Sequence, residues 1–334
     1  MIPAILGLAG PALTADERAF FRDAEPAGYI LFKRNCVDPT QLRALTDDLR
    51  ALSGRDDLPI LIDQEGGRVQ RMGPPCWPAL PAAARFAELY ARDPAGAVEA
   101  ARLNAMLIGA SLRESGITVD CLPLLDVARP GADAIIGDRA LGSDAAQVAT
   151  LGRAVLAGLR EGGVAGVVKH MPGHGRATAD SHLSLPVVEA DEAALEEDLA
   201  PFAALADAGF GMTAHIVYTA WDRERCASLS PVVIGEVIRR RIGFDGLLMS
   251  DDIGMKALAG GFGERAAGAV AAGCDVALHC SGEMAEMMVV ASALDPVGAT
   301  ARARLDRATV LVPRTPPAVD VAQITARRDA LLRG

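Results

Sequence analysis

Short apolar runs recur along this chain, and most are followed by a segment in which apolar residues return at the spacing of an α-helix. Each run is apolar at successive positions and is bounded by turn residues, which is typical of buried strands. The predicted strands cover residues 4–8, 28–32, 58–62, 117–125, 164–168, 211–214, 246–250 and 276–278. About eight alternations of strand and helix predict an α/β fold, a single (β/α)8 TIM barrel, rather than an open doubly wound sheet.

The same pattern predicts one domain. We expect a catalytic barrel over residues 1–312 and a C-terminal tail over residues 313–334 that packs on the barrel or extends from it. No GxGxxG sequence follows an early strand, so the pattern gives little support to a dinucleotide-binding domain.

Polar residues repeatedly follow the predicted strands, at the point where each strand ends. In a parallel barrel the carboxyl ends of all strands meet at one face, and this face carries the active site. We therefore expect these residues to lie together, although a buried structural role is the alternative for His215. They are Asp63, Asp126, Lys169, His170, His215, Asp251 and His279.

The segment KHMPGHGRATADSHLSLP, residues 169–186, holds three of the five histidines of the chain. Asp180 and His182 are separated by one residue, so both side chains can point the same way in an extended loop. A carboxylate bonded to an imidazole fixes its tautomer and stabilises the imidazolium, which makes the histidine a competent proton donor. The alternative is a surface Asx turn beside a solvated histidine. The glycines and alanines of residues 173–180 permit motion, and we predict that this loop moves.

Asp251 lies at the end of a predicted strand and is followed by a second carboxylate, Asp252. Successive strand residues face opposite ways, so we expect at most one of the two to enter the site while the other caps a helix or meets solvent. Asp251 is the candidate nucleophile, with a helix cap as its alternative role.

Five charged or polar residues, three of them at strand ends, are candidates for binding a sugar or an anion. Several charged hydrogen-bonding groups that converge on one ligand suit a highly polar molecule. For the two arginines, an exposed salt bridge is the alternative. These residues are Asp63, Arg71, Arg139, Lys169 and His170.

Composition and charge narrow the class of protein. The chain has 334 residues, 51% of them hydrophobic, a formal net charge of −10 and a pI near 5.1. This charge disfavours a nucleic-acid binder, which needs clustered Lys and Arg. No apolar run approaches the roughly 18 residues of a membrane span, and the apolar N-terminus has no positively charged leading region. We therefore expect a cytoplasmic protein with a small-molecule carbohydrate substrate and with neither nucleic-acid nor membrane partners. A monomer is a separate expectation, which composition and charge do not supply.

The cysteines give no sign of a metal or disulfide site. The six occupy positions 36, 76, 121, 226, 274 and 280, and no CxxC pair occurs. In a chain of this size that pattern indicates reduced, packed thiols.

Several motifs together resemble those of the bacterial β-N-acetylhexosaminidases of glycoside hydrolase family 3. They occur in the same order as in that family, and the KHxPGHG sequence followed by DSH is the most specific of them. The motifs are ILFKRN (30–35), LIDQEGGRVQR (61–71), IGDRALGSD (136–144), VVKHMPGHGRATADSHLSLP (167–186), MTAHIVY (212–218) and MSDDIGM (249–255).

The resemblance implies a role for each matched residue. Asp251 is then the nucleophile, His182 the general acid and base, and Asp180 its partner. The terminal N-acetylglucosamine is held by Asp63, Arg71, Arg139, Lys169 and His170. The reaction implied is retaining hydrolysis of terminal β-linked N-acetylglucosamine through a covalent glycosyl-aspartate. It uses no metal or other cofactor.

The same resemblance implies a physiological substrate, muropeptide fragments of the N-acetylglucosaminyl-1,6-anhydro-N-acetylmuramic acid type, in peptidoglycan recycling. Met171, Ala140, Leu141 and Gly254 depart from the family pattern, which leaves the aglycone preference open.

Two other activities are considered. A glycoside phosphorylase on the same scaffold is suggested by the histidine donor and the nearby lysine. A zinc-dependent amidohydrolase is less favoured, because the first strand lacks the HxH that such barrels supply.

Overall fold

Eight parallel strands close into a barrel in the computed structural model, which describes residues 1–131, 135–178, 184–312 and 318–333. Each strand pairs with its neighbours in chain order, and the last pairs with the first. The predicted single (β/α)8 barrel is therefore confirmed. The barrel strands are β1 Ile2–Leu6, β2 Pro26–Leu31, β3 Ile60–Ile62, β4 Val119–Asp120, β5 Ala165–Met171, β6 Phe210–Thr213, β7 Leu247–Asp252 and β8 Val276–His279.

Helices connect the strands around the outside of the barrel. The α-helices are α1 Ala15–Ala24, α2 Pro39–Ser53, α3 Ala84–Tyr90, α4 Pro94–Glu114, α5 Ala145–Gly162, α6 Glu192–Ala204, α7 Phe262–Ala272, α8 Met284–Ser292, α9 Ala299–Val310 and α10 Val321–Arg333. A π-helix, Val233–Ile242, stands between β6 and β7, and short 3-10 turns occur at Lys33–Asn35, Gly137–Arg139 and Ala227–Leu229.

Local sequence explains where the first two helices begin. The Thr14 hydroxyl accepts a hydrogen bond from the Glu17 N–H while the Glu17 carboxylate accepts one from the Thr14 N–H, which is a complete capping box. In α2, the Asp38 side chain caps the helix and Pro39 occupies its first position, where the missing N–H costs nothing.

Alternate strand residues fill two apolar layers. In β5, Val167 packs inside the barrel and Val168 packs outward against the helices, and both are fully buried. A strand buried on both faces is apolar at successive positions, as the strand runs of this chain are.

The fourth strand is shorter than predicted. The pattern predicted a strand over residues 117–125, but only Val119–Asp120 pairs regularly in the barrel. The chain turns at this point, because the Leu122 N–H bonds back to the Asp120 carbonyl, and Pro123 has no N–H to continue the ladder. Leu124 then makes an isolated bridge to Lys169.

The described part of the C-terminal tail is a helix, α10, that packs on α4. The Arg328 guanidinium, on α10, donates to the Asn104 side chain at 3.1 Å. Residues 313–317 lie outside the described part of the chain. Within the described ranges, no helix has both the length and the apolar character to cross a membrane.

Candidate active site

A cavity of about 280 Å³ opens at the carboxyl ends of the strands and is lined mainly by charged side chains and apolar groups. Six of the predicted candidates line this cavity: Asp63, Arg71, Arg139, Lys169, His170 and Asp251. Asp63 directly follows β3, Lys169 and His170 belong to β5, and Asp251 belongs to β7. The strand ends therefore bring together residues that are far apart in sequence.

Lys169 lies at the centre of a buried ion cluster. Its Nζ is 3.0 Å from Asp63 Oδ1 and 2.8 Å from Glu65 Oε1, and its side chain is only 2% exposed. Burial by itself would lower the pKa of Lys169, but the two carboxylates outweigh burial and raise it. The ammonium group therefore stays charged.

Asp63 is held between two cations. Besides Lys169, the Arg71 Nη2 donates to Asp63 Oδ2 at 3.1 Å. Burial by itself would raise the pKa of the Asp63 carboxyl, but Lys169 and Arg71 outweigh it and lower the pKa well below its usual value. Arg71 also lies over the Phe32 ring, 5.0 Å from its centroid, which fixes the plane of the guanidinium.

Arg139 is paired with Glu65, a residue that the sequence analysis did not single out. Both guanidinium bonds to Glu65 are 2.8 Å long, in the parallel geometry of a fork. The two side chains are 11% and 4% exposed, and Arg71 is 28% exposed, so the exposed salt bridge considered for the arginines is not what the structure shows. Glu65 follows Asp63 by two residues in a nearly extended segment, and that spacing is a signal that could have identified it.

Asp126 does not line the cavity but orients residues that do. Its Oδ2 is 2.8 Å from His170 Nδ1, and its Oδ1 accepts the backbone N–H groups of His170 at 3.2 Å and His174 at 2.7 Å. Burial would raise the pKa of Asp126, but the interactions with His170 and His174 outweigh it and lower the pKa. An ionised Asp126 requires a proton on His170 Nδ1, so Nε2 is the ring nitrogen left for a ligand.

Asp251 is an ionised carboxylate at the end of β7. Its Oδ1 accepts the backbone N–H of Asp252 at 2.8 Å. Burial would raise its pKa, but His215, His170 and this backbone bond outweigh it, so the pKa lies below its usual value. The carboxylate therefore carries its charge at neutral pH.

Asp252 also lines the cavity, although at most one of the adjacent carboxylates was expected to do so. The strand ends at this residue and the chain turns, so the alternation of strand faces no longer separates the two side chains. The Asp252 Oδ1 accepts the N–H groups of Gly254 at 2.9 Å and Cys280 at 3.1 Å. Burial and the neighbouring Asp251 charge raise its pKa.

His215 and His279 are fully buried and do not belong to the described lining of the cavity. The His215 Nε2 lies 3.0 Å from the Asp252 carbonyl, which can only accept, so Nε2 carries the proton. The other nitrogen, Nδ1, is 2.8 Å from Ser228 Oγ. His215 thus has the buried, hydrogen-bonded position considered as its alternative, behind Asp251.

Asp180 and His182 lie outside the described residues, which end at Thr178 on this side and resume at residue 184. Residues 171–175, which precede that gap, are buried, and the Gly173 carbonyl accepts the Tyr218 hydroxyl at 2.8 Å. A Cβ at Gly175 would lie 1.9 Å from the Val127 carbonyl oxygen, so close packing requires the glycine there.

The departures from the family pattern lie around the site. Met171, Ala140 and Leu141 are buried in the core, and none of the four departing residues is among the described residues that line the cavity. In the same described ranges, no group of three or more His, Cys, Asp or Glu side chains is arranged to hold a metal ion.

Comparison with known proteins gives one consistent family. Residues 5–314 match the model of the glycosyl hydrolase family 3 N terminal domain. The chain is 42% identical over 299 residues to a beta-hexosaminidase of Alkalilimnicola ehrlichii, covering 88% of this chain and 85% of that protein. It is 39% identical over 314 residues to a beta-hexosaminidase of Thiobacillus denitrificans, covering 91% and 85%.

Among solved structures, the fold is similar to NagZ from Neisseria gonorrhoeae in complex with N-trifluoroacetyl-D-glucosamine. The TM-score is 0.86 with 32% sequence identity, and the match covers 99% of this chain and 98% of the other.

Proposed function

The chain belongs to glycosyl hydrolase family 3, and we propose that it is a retaining exo-β-N-acetylglucosaminidase. It is a glycoside hydrolase of the β-hexosaminidase type, like the curated relatives it matches.

The partly buried Asp251 carboxylate carries this proposal. It is charged, it lies in the cavity at a strand end, and its Oδ1 is fixed by the Asp252 N–H at 2.8 Å. A retaining glycosidase needs a carboxylate that attacks the anomeric carbon from one side while a proton donor serves the leaving oxygen on the other. Asp251 therefore has the negative charge and the fixed orientation that a nucleophile needs.

The ion cluster beside Asp251 suits the hydroxyl groups of a terminal sugar. Asp63 and Glu65 can accept hydrogen bonds, while Arg71, Arg139 and Lys169 can donate them, and all are fixed by one another. His170 adds Nε2 to the same cavity. Fixed polar groups need no reorganisation when the sugar binds, so they support both affinity and orientation.

In the first step Asp251 attacks the anomeric carbon as the glycosidic bond breaks, and the leaving oxygen takes the proton of His182. In the second step water attacks the glycosyl-aspartate, His182 accepts a proton from that water, and the bond to Asp251 breaks. Asp180 supports the imidazolium form of His182 by its negative charge. The roles of Asp180 and His182 follow from the family resemblance and from their spacing.

We propose muropeptide fragments with a terminal N-acetylglucosamine as the substrate, acted on in the cytoplasm during peptidoglycan recycling. The chain functions in this proposal as a monomer without a cofactor. Support for the substrate comes from the family and from the charged side chains that line the cavity.

A phosphorylase on this scaffold finds less support. The histidine donor and Lys169 together suggested this activity, but the Lys169 ammonium group is shared between Asp63 and Glu65 and is almost fully buried. A cation neutralised in this way has little charge left to attract an anion.

The reaction can be tested with a chromogenic N-acetyl-β-glucosaminide. We expect the enzyme to release free N-acetylglucosamine with the β configuration, as seen by NMR immediately after turnover begins. We also expect Asp251→Asn to abolish turnover. A slow fluorinated substrate should leave a glycosyl adduct on the wild-type enzyme, detected by mass spectrometry, and none on this variant. An α product, or an adduct on another residue, contradicts the mechanism, and sugar 1-phosphate formed in phosphate buffer indicates the phosphorylase.

A further inference from the structure

A buried carboxylate on α6, Asp198, joins two segments that enter the active site from different strands. Its Oδ1 accepts a hydrogen bond from Arg129 Nη2 at 2.9 Å, and its Oδ2 accepts one from Arg176 Nε at 2.5 Å. The Asp198 side chain is 3% exposed, and the two arginines are 18% and 23% exposed. None of these three residues lines the cavity or has a role in the reaction described above.

The two arginines belong to the segments that carry active-site groups. Arg129 follows β4 and comes three residues after Asp126, the carboxylate that orients His170. Arg176 follows β5 and comes two residues after His174, which lines the cavity. The Arg176 Nη2 also donates to the Ala194 carbonyl of α6 at 2.8 Å, so this side chain is fixed to the helix at two points.

The segments contact each other directly as well. The His174 N–H donates to Asp126, and Gly175 packs so closely on Val127 that no Cβ could fit between them. A displacement of either segment would therefore pass to the other. Asp198 holds both from the same side and opposes such a displacement.

Burial of Asp198 makes the loss of its charge costly to the two arginines. Removing one partner of a buried ion pair leaves the other charge uncompensated, which is far more costly than loss of an exposed pair. Glu197 also approaches Arg129, at 2.7 Å, but its side chain is 50% exposed and solvent screens its charge. Asp198 is thus the main anionic anchor of the two arginines.

We propose that Asp198 is a positioning residue for general acid catalysis. Among the described residues, Arg176 is the last one before Asp180 and His182 whose side chain bonds to α6, and these two follow it by four and six residues. Asp198 therefore fixes the anchored end of the segment that carries the proton donor. The inference rests on the proposed function, since His182 must be the group that protonates the leaving oxygen.

The leaving group of the substrate separates this role from a purely structural one. A dinitrophenyl group departs without a proton, whereas a phenyl group needs one from the enzyme. We expect Asp198→Asn to lower kcat/KM for the phenyl N-acetyl-β-glucosaminide by about 10- to 100-fold, the scale of a small misplacement of a catalytic group, while the dinitrophenyl substrate is little affected. Arg176→Gln should show the same selective loss, and it provides the test if Asp198→Asn does not fold.

Asp207→Asn is the matched control. It removes an Arg–Asp ion pair, with Arg153, just beyond the end of α6, but both side chains are largely exposed. We expect no change with either substrate.

Measurement of His182→Ala beside these variants distinguishes the two levels of the proposal. If His182→Ala loses activity selectively on the phenyl substrate while Asp198→Asn and Arg176→Gln lose none, or lose equally on both substrates, the role of Asp198 is wrong and the proposed function stands. If His182→Ala shows no selective loss on the phenyl substrate, the assignment of His182 as acid and base is wrong. The role proposed for Asp198 is then wrong as well.

Discussion

Glu65 holds the Arg139 guanidinium through two hydrogen bonds of 2.8 Å, and the same carboxylate contacts Lys169 at 2.8 Å. One buried anion therefore fixes two of the three cations proposed to bind the sugar. The third, Arg71, is fixed by Asp63.

Glu65→Gln should weaken sugar binding without unfolding the barrel. The amide oxygen can replace Oε1, which contacts Lys169 and Arg139 Nη2, but the amide NH2 group cannot accept the bond from Arg139 Nε, so Arg139 loses one arm of its fork. We expect kcat/KM on an aryl N-acetyl-β-glucosaminide to fall by roughly 10- to 100-fold, the effect of a charged hydrogen bond worth about 1.5–3 kcal/mol. Glu99→Gln is a suitable control, because Glu99 makes a similar fork with Arg327 on the surface. Equal activity of the two variants would contradict a binding role for Glu65.

Lys169→Met should destabilise the fold as well as reduce activity. The substitution leaves the buried Asp63 and Glu65 carboxylates without the cation between them. Breaking a buried ion pair in this way costs about 3–5 kcal/mol, so the free energy of unfolding measured in urea should fall by that amount at pH 7. Lys256→Met, at an exposed position, should leave it unchanged. A wild-type unfolding curve for Lys169→Met would mean that the cluster is not the stabilising unit described here.

The same cluster predicts how stability depends on pH. The pKa values of Asp63 and Glu65 are lowered in the folded protein because Lys169 and the arginines outweigh the effect of burial. Such carboxyls contribute stability above their unfolded pKa of about 4, and this contribution is lost as the pH falls toward the folded value. We therefore expect the free energy of unfolding to decrease below about pH 4 in the wild type, and less steeply in Lys169→Met. Urea titrations at a series of acidic pH values measure both slopes, and identical slopes would contradict the linkage.

The sequence was sufficient to predict the barrel and much of the cavity for a simple reason. A strand buried on both faces, such as β5, appears in the sequence as an uninterrupted run of apolar residues. The polar residue that follows each strand must lie at the same face of the barrel. Asp63, Lys169 and Asp251 could be placed in this way, although more than a hundred residues separate Asp63 from Lys169.

Contacts between loops could not be predicted, because no local pattern specifies them. Arg139 reaches the site from an irregular segment and pairs with Glu65, 74 residues earlier. Neither residue carries a sequence signal for the other. The same limit applies to Asp198, whose helix position predicts only a polar residue, and to the turn at Asp252, where a strand pattern stops applying.

Two buried aspartates with opposite pKa shifts provide the last prediction. Asp126 has a lowered pKa and accepts from His170, whereas burial raises the pKa of Asp120 well above its usual value. Asp126→Asn would place an amide beside His170 Nδ1 and favour the tautomer with the proton on Nε2, so kcat/KM should fall roughly 10- to 100-fold.

Asp120→Asn is the matched control for that variant. Its Oδ1 accepts the Gln64 N–H, and its Oδ2 has no hydrogen-bond partner among the described residues. A carboxyl whose folded pKa is raised costs stability at neutral pH, because folding must either protonate it or bury its charge. We therefore expect Asp120→Asn to keep its activity and to unfold at an equal or higher temperature. If Asp120→Asn loses as much kcat/KM as Asp126→Asn, or more, the loss in Asp126→Asn does not come from the orientation of His170.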